Sequence, residues 1–337
     1  MIKSWEKSKF LAPILIAVIV LLANILYISG YSNPNPLNTR SGLSNSLQNN
    51  VFSGQNNIDP NDGFLTQALG KESAEDIIHG KLPWWDYDQQ VGSPLAGAMQ
   101  SASFFPPVLI LYFSTGMTYF HIFLEMVAGI ATYYLLLRLG LRKLTSSVGG
   151  VVFALSSVFV WFWTPNTNPI ALLPLLILGI EIAYARAKSG KKHGWLILAV
   201  ALALSIYAGF PEVTGLDTLL AVCWAVVRLF QANPKFRARF FKKMLLGAAT
   251  GLLLASPIIV AFLDYFRYAN VGDHATAITA SVNTIGIPAF FMPYIYGPIF
   301  GLNNFDASGN LSYFWSNVGG YITGLSFILS CCRTNWN

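Results

Sequence analysis

Apolar and polar positions occur along this chain in long blocks rather than in short alternation. A helix needs about 20 mainly apolar residues to cross the hydrocarbon core of a bilayer. The blocks therefore predict an all-α integral membrane protein, a polytopic bundle of about eight spans within a single membrane domain, residues 1–337. The predicted spans are Leu11–Ser29, Tyr119–Leu137, Thr145–Trp163, Pro169–Ala185, Gly194–Ala208, Thr214–Phe230, Met244–Leu263 and Val318–Cys332.

The basic residues predict the orientation of these spans. Most of the 21 Lys and Arg residues lie in four clusters near span ends, with an even number of predicted spans between successive clusters. By the positive-inside rule, the clusters and the N-terminus lie in the cytoplasm. The six spans within 119–263 then form the bundle, and residues 30–118 and 264–317 form loops outside a bacterial cytoplasmic membrane. The clusters are Lys3/Lys7/Lys9, Arg138/Arg142/Lys143, Arg186/Lys188/Lys191/Lys192 and Arg228/Lys235/Arg237/Arg239/Lys242/Lys243.

Composition excludes two other classes. With 54% hydrophobic residues and a mean hydropathy of +0.51, the chain is too apolar for a soluble domain. Its net charge of +6 does not indicate a nucleic-acid partner, because the cations lie in short loops beside apolar spans. The three cysteines lack metal-ligand or redox spacing, and the sequence assigns no metal ligands.

The first outer loop carries seven of the 15 acidic residues. Apolar positions in 64–78 recur at near-helical spacing, which predicts an amphipathic helix on the membrane surface. Within residues 103–113, a Phe-Phe-Pro-Pro run precedes a short apolar stretch, and this pattern predicts an interfacial or re-entrant helix. The second outer loop is rich in aromatic residues, which favours an interface anchor over a platform for a sugar ring or an isoprenoid tail.

The Asp62-Gly63 pair is a turn signal at a predicted helix start. A carboxylate held there, close to hydrocarbon, is suited to act as a general base or a metal ligand. The structural alternative is an N-cap or Asx-turn aspartate with no chemical role. Spacing alone leaves both interpretations open.

Four short motifs follow the first span in a defined order: acid-Gly-x-x-x-Gln, Gly-Lys-x-Pro-x-Trp, Gly-x-Pro and Phe-Pro. They occupy Asp62–Gln67, Gly80–Trp85, Gly92–Pro94 and Phe105–Pro106. In this order the chain resembles the YfhO-like family of bacterial polytopic membrane proteins, which are placed among the GT-C glycosyltransferases. The resemblance covers residues 11–134 and continues more loosely to Ala208–Glu212.

The resemblance implies an inverting transfer of a sugar from a polyprenyl-phosphate donor to an extracytoplasmic glycan or lipid acceptor, among membrane lipids. Asp62 would be the general base, with Asp59 as its substitute, and Gln67 would orient donor or acceptor. Trp84, Trp85 and Asp86 would line the sugar site.

Chemistry adds further candidates. A departing phosphate is stabilised by nearby positive charge, for which Arg267 or Lys81 is available. Glu212 lies at a break between two spans that opens toward the first loop. The acidic outer loop is compatible with a divalent metal as well as with metal-free chemistry.

Ionisable residues also occur inside predicted spans. His121 and Glu125 lie one helical turn apart and are expected to pair with each other or to contact the phosphate region of a donor. Glu181, near the cytoplasmic end of its span, is expected to have a structural role opposite Arg186 or Lys188.

Two rival functions remain open. A transporter or flippase of lipid-linked sugars would have broken helices and a charged site at mid-depth in the bilayer. Because family members are usually longer, an inactive fragment of a larger enzyme is the other alternative.

The predicted orientation can be tested by cysteine labelling in intact cells, in a variant whose native cysteines are replaced by serine. An impermeant thiol reagent is expected to label Gln55→Cys and Ser308→Cys, which lie in outer loops, and not Ser189→Cys. Labelling of Ser189→Cys without permeabilisation would show that the orientation is wrong.

Overall fold

The computed structural model of the chain describes residues 10–31, 66–88, 91–156, 158–159 and 167–269. These residues are mainly helical. The α-helices are α1 Leu11–Ala23, α2 Ile25–Ile28, α3 Ala68–Ile78, α4 Gly116–Arg138, α5 Lys143–Ala154, α6 Thr167–Lys188, α7 Leu196–Tyr207, α8 Pro211–Gln231, α9 Pro234–Leu254 and α10 Ser256–Tyr268. Two elements lie between α3 and α4. The first is a β-hairpin with strands of two residues each, β1 Trp85–Asp86 and β2 Ser93–Pro94, and the second is a 3-10 helix, Pro106–Tyr112.

Three of these helices, α4, α6 and α8, are long and apolar enough to cross a membrane. A fourth crossing is formed if α9 and α10 count as one span, although they are bent by 64° at a short break. Helices α1 and α7 are apolar but shorter. The helical, membrane-type architecture is therefore confirmed, whereas the described residues contain three or four candidate spans rather than eight.

Two predicted spans differ from the structure for local reasons. Met244–Leu263 is divided at Ala255, because Pro257 lacks an amide donor and begins a new helix instead of continuing α9. Leu11–Ser29 is divided at Asn24, whose side chain donates to the carbonyl of Val20. Val318–Cys332 and part of Thr145–Trp163 lie outside the described residues, as does the loop after Ala269.

Glycines allow the helices to approach closely. A Cβ atom on Gly150 of α5 would lie 2.6 Å from the carbonyl oxygen of Gly129 in α4. Leu198 of α7 lies between Gly179 of α6 and Gly247 of α9. A Cβ on Gly179 would lie 2.7 Å from the Leu198 backbone, and a Cβ on Gly247 would lie 2.7 Å from Leu198 Cδ2. Small residues at helix contacts provide the backbone proximity that stabilises bundles in lipid.

One set of buried polar side chains connects two helices of the bundle. Glu125 accepts a hydrogen bond from Asn24 Nδ2 at 2.5 Å and lies 3.3 Å from His121 Nε2, which links the first helix to α4. The expected His121–Glu125 contact is therefore present, and Asn24 is an additional partner. All three side chains are at least nine-tenths buried.

Glu181 has a structural role, but with partners other than the predicted Arg186 or Lys188. Its carboxylate accepts hydrogen bonds from Arg228 Nε and Nη2 at 2.5 and 2.8 Å and from Trp224 Nε1 at 2.8 Å. Both donors lie on α8, which packs beside α6. A bidentate contact with an arginine on a neighbouring helix satisfies a buried carboxylate better than an exposed lysine of its own helix.

Helix α3 packs through small residues rather than through the predicted apolar stripe. Its buried residues are Gly70, Ser73 and Ala74, whereas Ala68 and Ile78 are exposed. This face contacts the 3-10 helix, which occupies the predicted 103–113 segment. The prediction of an amphipathic helix holds, but its buried face is directed at protein; a membrane-surface position for α3 stays a prediction.

The segment between α3 and α4 contacts the bundle at the turn between α7 and α8. Gly209 has a φ of +89°, and a Cβ there would lie 2.5 Å from the carbonyl oxygen of Met99 and 2.9 Å from the Cβ of Ala102. Only glycine combines this left-handed conformation with so close a backbone contact.

Replacing Gly209 with alanine is therefore expected to destabilise the protein by about 1–3 kcal/mol, through backbone strain and the clash with Met99. The measurement is thermal unfolding of the detergent-solubilised variant. Gly215→Ala in α8 is the matched control, because a Cβ there meets nothing within 4 Å and Gly215 has an ordinary helical φ. Equal unfolding temperatures for the two variants would contradict this account of the contact.

Candidate functional site

The hairpin after α3 fixes the position of one acidic side chain. Asp86 pairs with Ser93 across the antiparallel register, and Leu95 N donates to the Trp84 carbonyl at 3.0 Å. Beyond the strand, the amide of Asp88 donates to Asp86 Oδ1 at 2.8 Å and turns the chain back. Asp86 is only 1% exposed, so its orientation is set by the hairpin rather than by solvent.

Three carboxylates meet at this hairpin. Glu72 of α3, Asp86 and Asp88 each place an oxygen within 4.8 Å of the other two. Asp86 is buried, Glu72 is half-buried and Asp88 is exposed, so the cluster is closed on the protein side and open on the other. We refer to these three residues as the acidic cluster; in the part of the chain that the structure describes, they are the set that could hold a metal ion.

A chain of serine hydroxyls holds α3 against this hairpin. Ser73 Oγ lies 2.9 Å from Ser103 Oγ, which lies 2.5 Å from Ser101 Oγ. Ser101 in turn donates to the Leu95 carbonyl at 2.9 Å, directly after β2. The three serines are at most 1% exposed, so these bonds fix where Glu72 stands relative to Asp86.

Crowding of negative charge changes the ionisation of Glu72. Burial, a hydrogen bond with Asp86 and the charges of Asp86, Asp88 and Asp76 raise the pKa of Glu72 from 4.5 to about 7. Two carboxylates within hydrogen-bond distance need either a shared proton or a cation. The cluster can therefore exchange a proton near neutral pH or bind a positive ion.

A groove of about 510 Å³ lies beside the same segment of the chain. Trp84, which immediately precedes the hairpin, forms one wall, and α10 forms the other. Arg267 and Asp264 are the charged residues of its lining, which otherwise consists of Pro257, Val260, Ala261 and Leu263. The groove thus combines an aromatic ring, a cation, a carboxylate and an apolar floor.

Aromatic contacts anchor Trp84 to the helix break. Its ring lies 4.6 Å from that of Phe104, which lies 6.4 Å from that of Tyr207. The hydroxyl of Tyr207 donates to the Leu254 carbonyl at 2.9 Å, at the end of α9. Gly97 of the loop also packs on α10, because a Cβ there would lie 3.1 Å from the Ala261 carbonyl oxygen. The segment between α3 and α4 and the bent helix pair therefore form the groove together.

The structure brings some of the predicted site residues together and separates others. Trp84 and Arg267 share the groove, and Trp85, half-exposed, adjoins Asp86 in the hairpin. Gln67 lines a different cavity of about 380 Å³ with Lys71, Leu111 and Met117.

The remaining predicted residues are in neither the groove nor the acidic cluster. Lys81 is an exposed residue after α3, and Glu212 is exposed in the first turn of α8. Asp59 and Asp62, the predicted general bases, lie outside the described residues.

Sequence reasoning did not assign Glu72, Asp88 or Asp264 to a site. The acid-x-acid spacing of Asp86 and Asp88 was a usable signal, because a tight turn after one acid can bring the next one back beside it. Glu72 gave no such signal, since it is one of three acids on α3 and only the packing of the helix selects it. Asp264 lies far along the chain from the hairpin and is joined to Trp84 only by the fold.

The chain matches no protein-family model, no curated protein and no solved structure. The YfhO-like resemblance accordingly stays a prediction from the motifs.

The ionisation of Glu72 predicts a pH-dependent stability. With a pKa of about 7 in the folded chain and 4.5 when unfolded, Glu72 binds its proton more tightly in the folded state. Its contribution is fully present below pH 4.5 and is lost as the pH rises toward 7. The side chain of Glu72→Gln is neutral at every pH. The difference between the unfolding temperature of this variant and that of the natural chain is therefore expected to be more positive at pH 8 than at pH 5.

The measurement is thermal unfolding in detergent, without added divalent ions, at both pH values. Glu75→Gln is the control, because Glu75 faces Lys71 at 3.6 Å instead of the acidic cluster. If the difference in unfolding temperature between Glu72→Gln and the natural chain is the same at both pH values, the pKa of Glu72 is not raised in the folded protein.

Proposed function

We propose that this chain is a membrane glycosyltransferase that transfers a sugar from a polyprenyl-phosphate donor to a glycan or lipid acceptor outside the cytoplasmic membrane. The observation that carries the proposal is the groove that Trp84 and Arg267 line together beside the acid-bearing hairpin. These residues come from widely separated parts of the chain and supply two contacts that such a donor needs. In this proposal the N-terminus lies in the cytoplasm and the groove lies at the outer leaflet.

Each wall of the groove suits a different part of the donor. An aromatic ring such as that of Trp84 packs against the apolar face of a sugar, and Asp264 can accept hydrogen bonds from its hydroxyls. The guanidinium of Arg267 can pair with the phosphate. The apolar residues of α10 that line the groove, including Val260 and Leu263, are exposed and suit an isoprenoid chain.

The reaction follows from the groups required. A base removes the proton from the acceptor hydroxyl while its oxygen attacks the anomeric carbon from the face opposite the phosphate. The bond between that carbon and the phosphate oxygen breaks with inversion, and polyprenyl phosphate leaves with the electron pair. Arg267 stabilises the negative charge that develops on the phosphate. Asp62 is the proposed base, with Asp59 as its substitute, and Gln67 is proposed to orient a substrate.

A second candidate function, transport of a lipid-linked sugar, is favoured by two other observations. Helices α9 and α10 form a broken pair bent by 64°. Asp217 is buried in α8, and its Oδ2 has no hydrogen-bond partner among the described residues. Broken helices and a charged residue within a span are typical of transporters.

Transfer can be tested with membranes that contain the chain and a polyprenyl-phosphate hexose labelled in the sugar. Asp62→Asn is expected to abolish transfer while leaving protein level and membrane insertion unchanged, because the acceptor hydroxyl loses its base. Arg267→Gln is expected to weaken donor use by about tenfold or more, since a charged hydrogen bond contributes ~1.5–3 kcal/mol. Glu75→Gln, outside the groove, is the control and is expected to retain full transfer.

The outcomes separate the candidate functions. Full transfer by Asp62→Asn would move the base assignment to Asp59 or Glu212. The alternative outcome is that the labelled sugar crosses the membrane while still attached to its lipid. This result, together with loss of the movement in Asp217→Asn, would favour the transporter and contradict the proposal.

A further inference from the structure

The acidic cluster has a feature that sugar transfer at the groove does not require. Glu72, Asp86 and Asp88 bring three carboxylate oxygens within 4.8 Å of one another. Like charges at this distance repel strongly in a partly desolvated site, and the fold would be more stable if they were apart. A compensating positive charge is the simplest physical reason for retaining them.

The side chain of Asp86 provides an independent indication of a ligand. Asp86 is 1% exposed, and its Oδ2 is buried with no hydrogen-bond partner among the described residues, apart from the bond that a protonated Glu72 can form with the Asp86 carboxylate. Its other oxygen, Oδ1, accepts a hydrogen bond from the amide of Asp88. A buried carboxylate oxygen without a donor is costly, and an ion bound at that oxygen would remove the cost.

No basic side chain supplies this compensation within the described part of the chain. The ion pairs there are Lys71–Glu75, His121–Glu125 and Arg228–Glu181. None of them includes a member of the acidic cluster. Lys71, although it lies on the same helix as Glu72, faces Glu75 at 3.6 Å.

We propose that Glu72, Asp86 and Asp88 together bind one divalent cation of the oxygen-preferring class, Ca²⁺, Mg²⁺ or Mn²⁺. The donors are all carboxylate oxygens, without histidine or cysteine, which disfavours Zn²⁺ and Cu²⁺. Three carboxylates leave further coordination positions free for water or for a phosphate oxygen. Exposed Asp88 marks the side from which these ligands can enter.

The site is built on a rigid framework. The serine chain from Ser73 to Leu95 fixes α3 against the hairpin, and the β1–β2 register fixes Asp86. The three ligands are therefore held together before the ion arrives, which reduces the ordering cost of binding. Cation binding does not depend on the proposed transferase activity and can be measured without turnover.

The test is luminescence of Tb³⁺, a mimic of Ca²⁺, added to the full chain in detergent. Trp85 immediately precedes Asp86, so tryptophan excitation is expected to give a saturable Tb³⁺ emission that excess Ca²⁺ displaces. Asp86→Asn and Glu72→Gln are each expected to weaken Tb³⁺ binding by ~10-fold or more, because each removes one charged ligand. Trp85→Phe is expected to reduce the emission while Ca²⁺ still raises the unfolding temperature.

Glu75→Gln is the matched control: it removes a carboxylate from the same helix, outside the cluster, and is expected to bind Tb³⁺ as the natural chain does. Glu72→Gln keeps the hairpin intact, so the test remains decisive if Asp86→Asn fails to fold. Absence of saturable emission from the natural chain would overturn the proposal, as would unchanged binding in Glu72→Gln. The first result would leave a proton shared between Glu72 and Asp86 as the account of the cluster, and neither would bear on sugar transfer.

Discussion

The buried contact between α3 and the segment that follows the hairpin is the interaction on which the candidate site depends. Ser73, Ser101 and Ser103 satisfy one another's hydroxyls and end on the Leu95 carbonyl, with no solvent to compete for these bonds. Small side chains on this face of α3 allow the close approach, since a Cβ on Gly70 would lie 2.6 Å from Leu111 Cδ1. Glu72 lies on the same helix, so this packing places it beside the hairpin.

Two kinds of constraint hold the loop between α3 and α4 on the helix bundle. One is steric: Gly209 and Gly97 let backbone touch backbone at the α7–α8 turn and on α10. The other is the aromatic series from Trp84 through Phe104 to Tyr207, which ends at the break between α9 and α10. The groove therefore depends on the bend at Ala255 as much as on the loop, because α10 provides one of its walls.

Local sequence was a good guide to the long helices and a poor one to their interruptions. Predicted spans at 119–137, 169–185 and 214–230 correspond to α4, α6 and α8, each extended by a few residues. Hydropathy does not show where an apolar run bends, so the breaks at Asn24 and Ala255 were missed. The identity of α3 as a helix was also accessible, but its buried face was not, because glycine and serine carry little hydrophobic signal.

Local sequence was sufficient to predict a helical membrane-type chain and to select Trp84, Trp85, Asp86 and Arg267 as candidate site residues. These properties follow from local composition, residue spacing and simple charge chemistry. The packing of the helices and the hairpin brings Glu72 beside Asp86 and Asp88, places Arg267 and Trp84 in one groove, and puts Gln67 in another cavity. Such contacts join residues far apart in the chain, and their geometry is set by how helices, turns and glycines pack rather than by any local pattern.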